Sequence, residues 1–528
     1  MNASSREQQP VLIRSLLSAD AYDHPVENIQ LIETHISWVI LTGPFAYKIK
    51  KPVDLGFLDF STLEKRLLCC NEELRLNSRL AAEIYLEVVP IDGSPERPVW
   101  GGSGPVIEYA VKMVQFPQQA QLDHMLADGQ LEPYHLDAIA SLVADFHHTA
   151  EVAPPDSDYG EPQRVYHPVA ENFSQIRQHL HSTQYDTRLA ELERWSQASF
   201  ESLASVFEQR KRDGFIRECH GDMHLRNLVW YQDKPLAFDC LEFNPGLRWI
   251  DTLSEVAFLV MDLQDRKQPK LAQRFLNAYL EQSGDYAGVP VLRFYLVYRA
   301  LVRAKVAAIR VAQPGIDETE KQQAEQEFDT YLELAQSYTR PVKAKLMITC
   351  GMSASGKSTL TQPLLENIAA IRIRSDVERK RLFGIAPGED SRTGVDQGLY
   401  SPSAGIQTYQ KLRQLAATVL AAGFTVIVDA AFLKQAQRAE FAQLADDMAL
   451  PFIILEFTAA ADTLRQRIRN RVTDVSDADL TVLEHQLATF RPLEPSERAH
   501  CITIDTERAF DPDELASAIE QQAAQFSR

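Results

Sequence analysis

An apolar run from Leu346 to Cys350, then GMSASGKS over Gly351–Ser358, then helix-forming residues from Thr359 constrain this chain more than any other stretch. The octapeptide fits G-x-x-x-x-G-K-[ST], in which small residues let consecutive backbone N–H groups curl around a phosphate chain. Electrostatics dictates the order strand, loop, helix. A helix N-terminus carries partial positive charge and unsatisfied N–H groups, so the anion sits before the helix and not after it. The pattern predicts a phosphate cradle built from Gly351, Ser353, Ala354, Ser355, Gly356, Lys357, Ser358 and Thr359. Lys357 is its point charge and Ser358 a ligand for Mg²⁺. Pro363 falls inside the following helix and predicts a kink there.

A chain of 528 residues exceeds a single core, and its length corresponds to about three domain-sized lobes. The only close pair among six cysteines, Cys69 and Cys70, is adjacent, which suits neither a metal knuckle nor a disulfide framework. A reducing cytoplasm is the expected setting. The opening MNASSREQQP lacks the basic and apolar segments of a secretory signal. The uncharged run ending at Val428 is broken by Gly423 and falls short of the ~20 residues of a membrane span. A formal net charge of −19 opposes binding to long polyanions such as nucleic acid, which are held by clustered Lys and Arg. A small charged metabolite remains compatible with it.

Taken in order, Pro10–Ala19 has the spacing of a short amphipathic helix. Ile29–Leu41 and Phe45–Lys50 read as strands joined by a turn at Gly43 and Pro44, with Ala46, Lys48 and Lys50 on one face. Lys48 follows Phe45-Ala46-Tyr47 as the phosphate-gripping lysine follows V-A-I, although a solvated strand face would also account for it. Thr62–Leu80 reads as a helix offering Glu72 and Glu73 as partners for that lysine. Pro90–Pro105 reads as turns, Ile107–Val114 as a strand, and Pro133 opens a helix ending in His147 and His148, whose expected role is structural or capping. Val291–Val311 reads as a packing helix with its arginines in solvent, and Ile316–Thr339 as a charged helical connector closed by Pro341.

CHGDMHLRNLVWY, Cys219–Tyr231, is the second stretch that carries a mechanism. Asp222 and Asn227 have the separation of Asp and Asn in H-R-D-x-x-x-x-N, His220 stands two before the Asp, and Asp239 follows a strand, a turn and a second strand. Phosphoryl transfer needs a carboxylate to accept the hydroxyl proton and oxygen ligands to hold Mg²⁺, which Asp222, Asn227 and Asp239 would supply. His220 and His224 are four apart, but without helical periodicity between them a metal pair is the weaker reading. Asp251 offers either support for this loop or a helix cap.

The segment resembles the HGDxHxxN loop of the aminoglycoside phosphotransferase and choline kinase-like family, a small-molecule branch of the protein-kinase fold. Over residues 25 to 310 that resemblance implies Asp222 as catalytic base, Asn227 and Asp239 as metal ligands, Lys48 as phosphate lysine and Glu73 as its partner. The chain departs from protein kinases in lacking G-x-G-x-x-G before Lys48 and in having DCL in place of DFG.

Beyond the phosphate loop, Ile371–Ser375 reads as a strand delivering Asp376 and Arg379, a D-x-x-R pattern at the carboxyl end where ligands of such sheets bind. Thr425–Val428 delivers Asp429 as a carboxylate for Mg²⁺ or substrate, and Phe452–Phe457 and Cys501–Ile504 add strands. LRQRIRNR presents Arg465, Arg467, Arg469 and Arg471, either a solvated face or a lid whose cations, with Arg467 and Arg471 as the nucleotide-binding pair, close over phosphate. This portion resembles the P-loop small-molecule kinases, similar to gluconate kinase, adenylylsulfate kinase and 5′-polynucleotide kinase domains.

The whole resembles bacterial fusions of an aminoglycoside phosphotransferase-like module with a P-loop kinase. The expected architecture is a bilobal α+β protein-kinase-like domain over residues 1–315 (lobes about 25–115 and 116–315), a connector over 316–342, and an α/β domain with a doubly wound parallel sheet over 343–528. The expected activity is ATP- and Mg²⁺-dependent phosphoryl transfer to a small-molecule hydroxyl. Alternatives are 5′ phosphorylation of nucleic acid by the second half, or one half sensing nucleotide for the other.

Overall fold

Along Phe45–Lys50, Ala46, Lys48 and Lys50 alternate with Tyr47 and Ile49. In the computed structural model, which describes residues 9–525 apart from 55, 57, 181, 314, 386–400 and 471–479, this alternation separates two apolar layers. Strands β1 (Gln30–Glu33), β2 (Ser37–Leu41), β3 (Phe45–Lys50), β4 (Tyr85–Ser94), β5 (Arg97–Trp100) and β6 (Val106–Val114) form an antiparallel sheet in the order β1-β2-β3-β6-β4-β5. Tyr47 and Ile49 pack with Leu16, Trp38 and Ile40 on one side. Ala46 packs with Cys70, Val111 and Met113 on the other, the side of the Leu63–Asn77 helix. Period-two geometry therefore turns Lys48 and Lys50 toward that helix.

Two sequence expectations change here. Ile29–Leu41 is two strands and not one, because Thr34 Oγ1 accepts from the Ser37 amide at 2.9 Å and folds the chain back between them. Pro90–Pro105 was expected as turns but contributes the second half of β4 and all of β5. Pro98 lies on β5 at the edge of the sheet, where a missing N–H leaves no ladder bond unmade, and β4 is irregular between Ile91 and Asp92.

Four short strands position the catalytic-type loop. They are β7 (Ile216–Glu218), β8 (Leu228–Tyr231), β9 (Lys234–Ala237) and β10 (Trp249–Asp251), paired β7 with β10 and β8 with β9. The β8–β9 hairpin turns through Gln232 and Asp233, both left-handed with φ 50° and 60°, the twist a two-residue hairpin requires.

The second sheet is wholly parallel. Strands β11 (Leu346–Cys350), β12 (Ile371–Arg374), β13 (Val426–Asp429), β14 (Phe452–Thr458) and β15 (Cys501–Asp505) lie in the order β12-β13-β11-β14-β15. Every residue of β11 is buried, as a central strand covered on both faces demands. The Lys357–Ile368 and Pro512–Gln525 helices share a core with Met347, Ile427 and Leu455, and the Pro402–Ala421 and Gln435–Asp447 helices complete the doubly wound layers. The Lys357–Ile368 helix continues through Pro363.

The chain divides into two compact units. One comprises Met1–Ala138, Asp145–Val165 and Arg210–Leu259, and the other Ile139–Ala144, Tyr166–Gln209 and Val260–Arg528. Within the second unit the helix Pro269–Ser283 caps the start of β12, since Asn277 donates to Ala370 O at 3.0 Å and accepts from the Arg372 amide at 2.7 Å. The Glu318–Thr339 helix, expected as a charged connector, buries Phe328 and Leu332 against the Val289–Val311 helix. The arginines of that helix do not all reach solvent: Arg299 is buried and lies against the Tyr298 ring.

Candidate active sites

In the first unit, Lys48 Nζ donates to Glu73 Oε1 at 2.8 Å and also reaches Asp239 Oδ1. Lys50 Nζ donates to the other oxygen of Glu73 at 2.7 Å and to Glu242. Glu73 is fully buried, so both its oxygens are satisfied by cations delivered from one strand face. Burial by itself would lower the Lys48 pKa, but Asp239 and Glu73 beside it hold it well above the ordinary lysine value. Glu72, the other helical candidate, pairs with Arg75 and Arg248 instead.

Asp239 stands in the left-handed region at φ 64°, its amide donating to Tyr85 Oη at 3.1 Å, while the next amide, of Cys240, donates to Asn77 Oδ1 at 2.9 Å. The loop before it is equally fixed. Asn227 Nδ2 donates to the carbonyl and the Oδ2 of Asp222, both at 3.0 Å, and His224 Nε2 lies 3.4 Å from that Oδ2. His220 bonds the Phe238 carbonyl at 2.9 Å, and burial keeps its pKa low, so the ring is neutral. The histidines thus brace the loop; neither pairs with the other as metal ligands would.

Underneath lies a residue the sequence did not single out. Glu255 accepts the amide protons of His220 at 3.1 Å and Gly221 at 2.6 Å, and contacts His147 Nε2 at 3.0 Å. Burial would raise this carboxyl, but the hydrogen bonds it accepts from His147 and the Gly221 amide hold it low, at about 2. Ligand atoms of His147, Cys219 and Glu255 lie within 4.8 Å of one another. Glu255 already accepts these hydrogen bonds, so the cluster serves as an anchor for the loop. His147, expected to cap its helix, is part of that anchor. Asp251, four residues earlier, accepts from the Leu253 amide at 2.9 Å at the start of the helix and is bound by Arg210 at 2.6 and 2.7 Å. The signal for Glu255 was its place one helical turn after Asp251 in WIDTLSE, the start of an apolar helix.

In the second unit, β11 ends at Cys350 and the loop curls back before Gly356 starts the helix at φ 88°. Lys357 Nζ donates to the carbonyls of Gly351 at 3.0 Å and Met352 at 2.8 Å. Ser358 Oγ donates to Asp429 Oδ2 at 2.7 Å, joining the first turn of this helix to the end of β13. Arg467 spans Ala354 O, at 3.3 Å, and Thr506, at 2.8 Å. Asp376 lies in the first turn of the Ser375–Leu382 helix with Arg379 Nη1 at 3.4 Å.

These groups enclose one cavity of about 550 Å³, lined by the loop from Ser353 through Thr359 together with Asp376, Arg379, Asp429 and Arg467. Gly351 stands at the mouth of the loop, where a Cβ would lie 2.6 Å from Phe457 O. Arg471 lies outside the described residues. The arginine series is not a single face: Arg465 pairs with Glu484 and Asp462, Arg469 is exposed, and Arg467 reaches the loop. Sequence reasoning missed Gln486, whose Oε1 accepts from the Ser353 amide at 2.8 Å, and the cavity-lining Arg374 and Tyr409. Only tertiary proximity identifies them.

The donor sets of both sites are oxygens. Asp222, Asn227 and Asp239 in one, and the contacting Ser358 and Asp429 in the other, suit a hard cation such as Mg²⁺.

Comparison with known proteins matches this geometry. The model of the family "Phosphotransferase enzyme family" matches residues 100–295, and that of "AAA domain" matches residues 346–493. Uncharacterized proteins of Mycobacterium tuberculosis and Mycobacterium bovis are each 32% identical over 460 residues, 86% of this chain and 89% of theirs. The chain belongs to their family. It is a fusion of an aminoglycoside phosphotransferase-like module with a P-loop kinase module. Among solved structures, a choline/ethanolamine kinase family protein from Mesorhizobium loti is 11% identical, covering 60% of this chain and 94% of that one, with a TM-score of 0.37. An amicoumacin kinase in complex with AMP-PNP is 11% identical over 62% and 95% with a TM-score of 0.40, and a gluconokinase from Sinorhizobium meliloti is 19% identical over 36% and 94% with 0.24. Among the described residues, no helix is long and apolar enough to cross a membrane.

Proposed function

We propose that this phosphotransferase has two active sites, each moving the γ-phosphoryl group of ATP to a hydroxyl of a small molecule. The single observation that carries the reading is the 2.7 Å contact of Ser358 with Asp429 beneath a glycine-lined loop, with Asp376 and Arg379 lining the same cavity. An anion cradle, a paired oxygen set for a hard cation and a separate carboxylate are the parts that in-line phosphoryl transfer needs.

In the second site the loop amides and the helix N-terminus bind the phosphate chain, Lys357 adds a charge on it, and Asp376 accepts the acceptor's proton. Ser358 and Asp429 would hold Mg²⁺. In the first site Lys48, fixed by Glu73, orients the phosphates; Asp222 takes the hydroxyl proton; Asn227 and Asp239 would hold the cation. Bound Mg²⁺ supplies neutralisation of the charge that gathers on the transferring group.

The test is label transfer. The protein is incubated with a polar metabolite extract and γ-labelled ATP, in parallel with Asp222→Asn and Lys357→Ala. Two labelled products, one lost in each variant, support the proposal. A variant that changes the rate of one product without abolishing any would mean that half is a regulator, and labelled 5′-hydroxyl oligonucleotide would move the second site to nucleic acid.

A further inference from the structure

The strand that leads to Asp376 and Arg379 lies at the edge of its sheet. β12 ends the order β12-β13-β11-β14-β15, and β13 is its one strand neighbour among the described residues. The N–H and C=O groups along its other side therefore need partners that no strand supplies. Within the second unit those partners are side chains. Gln273 Nε2 donates to Ala370 O at 2.6 Å, and Asn277 donates to the same oxygen at 3.0 Å and accepts from the Arg372 amide at 2.7 Å. Tyr286 Oη donates to Arg372 O at 3.1 Å. All three side chains are buried, so these bonds stand in for water at the strand edge. Residues 273–286 thus take the place of a further strand. They lie within the 100–295 match to the phosphotransferase family model, whereas β12 lies within the 346–493 match.

Glu281, one helical turn beyond Asn277, reaches the end of the strand. Its Oε1 accepts from Arg374 Nη1 at 2.7 Å and its Oε2 from Arg372 Nη2 at 3.3 Å. Arg372 runs on to the phosphate-loop helix, where its Nη1 donates to Ser358 O at 3.2 Å and Thr361 Oγ1 at 3.3 Å. Arg374 runs into the cavity, whose wall it shares with Asp376 and Asp429. Both carboxylates act on it. Burial by itself would lower the Arg374 pKa, but Glu281, Asp429 and Asp376 hold it above the ordinary arginine value. Even so, no hydrogen bond joins Arg374 to either cavity carboxylate among the described residues, and its partner is Glu281. Asp429 accepts instead from Ser358, and Asp376 from Arg379.

A guanidinium offers five N–H groups in a fork that matches a carboxylate, so an untethered one beside two carboxylates closes on them. Closure on Asp429 would cover the oxygens a hard cation needs, and closure on Asp376 would cover the proton acceptor. Glu281 holds Nη1 back from both. We propose that Glu281 is a positioning residue of the P-loop site, supplied by the phosphotransferase-family half of the chain, that keeps Arg374 off Asp429 and Asp376. One carboxylate then stays open to Mg²⁺ and the other to the acceptor hydroxyl, a division of roles that rests on the second site being the phosphotransferase proposed above. The P-loop site is completed by residues outside the P-loop module.

The test uses the full chain and reads AMP-PNP uptake by calorimetry across a series of Mg²⁺ concentrations. The second-site component is the one that Lys357→Ala removes, and the Mg²⁺ concentration giving half of it is the quantity compared. In Glu281→Ala that concentration should rise about 10- to 100-fold, because the freed guanidinium competes with the cation for Asp429. Glu281→Gln keeps an acceptor oxygen at the same reach without the charge, and should shift it in the same direction by less. Adding Arg374→Gln to Glu281→Ala should return the Mg²⁺ requirement toward the wild-type value, since the competitor is gone. Loss of a merely structural contact would be deepened by a second substitution and not relieved. The labelled product that Asp222→Asn abolishes should persist in all three variants and reports that they fold.

An unchanged Mg²⁺ requirement in Glu281→Ala overturns the inference, as does a raised one that Arg374→Gln fails to relieve. Should Glu281→Ala not fold, the isosteric Glu281→Gln decides by the same two readings. AMP-PNP uptake that Lys357→Ala leaves unaltered overturns instead the proposed function on which the inference rests.

Discussion

Glu255 Oε2 accepts the amide proton of Gly221 at 2.6 Å, placing a buried carboxylate directly under the turn that presents Asp222. Gly221 adopts φ 89°, and a Cβ there would lie 2.9 Å from Leu247 O, so the turn is pinned from both sides. The acid-base consequence has a definite sign. The Glu255 carboxyl is held at about 2 against its ordinary 4.5, so its stabilisation is complete above about pH 4.5 and is lost as pH falls toward 2. Its size is of order 3 kcal/mol. Denaturant titrations from neutral pH down to pH 3 should show wild-type stability falling through that window. In Glu255→Gln this part of the slope should disappear, together with most first-site turnover.

Lys48 and Lys50 share Glu73 but should fail differently. Lys48→Ala removes the cation facing Asp239 and leaves Glu73 with Lys50, so first-site kcat/KM should fall by about 10²- to 10³-fold. Lys50→Ala strips Glu73 and Glu242 of a cation that is 1% exposed, and should cost about 3–5 kcal/mol of stability. Steady-state kinetics of the two products, beside urea unfolding, separates the outcomes. Equal effects on both quantities would contradict this division of labour.

Gly351 has no room for a side chain. A Cβ would lie 2.6 Å from the Phe457 carbonyl and 2.7 Å from Ser355 Oγ, so Gly351→Ala must displace the loop. Nucleotide affinity at the second site should drop by about 10²-fold while the first site keeps its own. Calorimetry with AMP-PNP and Mg²⁺ reads both sites, and an unchanged pair of isotherms would refute it.

Arg210 and Asp251 form a bidentate pair with both side chains nearly inaccessible. Arg210→Met leaves Asp251 a buried charge without its guanidinium and should destabilise by about 3–5 kcal/mol. Adding Asp251→Asn to that variant should recover part of the loss, because the remaining group is then neutral. Thermal melts of the single and double variants test this.

The short motifs were legible because their chemistry is local. GMSASGKS names the phosphate loop since strand, glycine turn and helix N-terminus are consecutive in the chain. Asp222 and Asn227 are five apart and meet within one loop, and alternation along Phe45–Lys50 puts both lysines on one face. What sequence could not show were partners brought from far along the chain. Glu255 beneath Gly221, Gln486 on the Ser353 amide and Glu281 on Arg374 are set by how separate elements pack, and helical periodicity does not predict that. Proline misled over Pro90–Pro105, because whether it stops a strand depends on whether a neighbour needs its N–H, a property of the sheet and not of the residue. The sequence by itself determined which atoms are available for phosphate chemistry. The tertiary structure decided which of them are buried, paired and aimed together, since burial and charge pairing depend on distance in space.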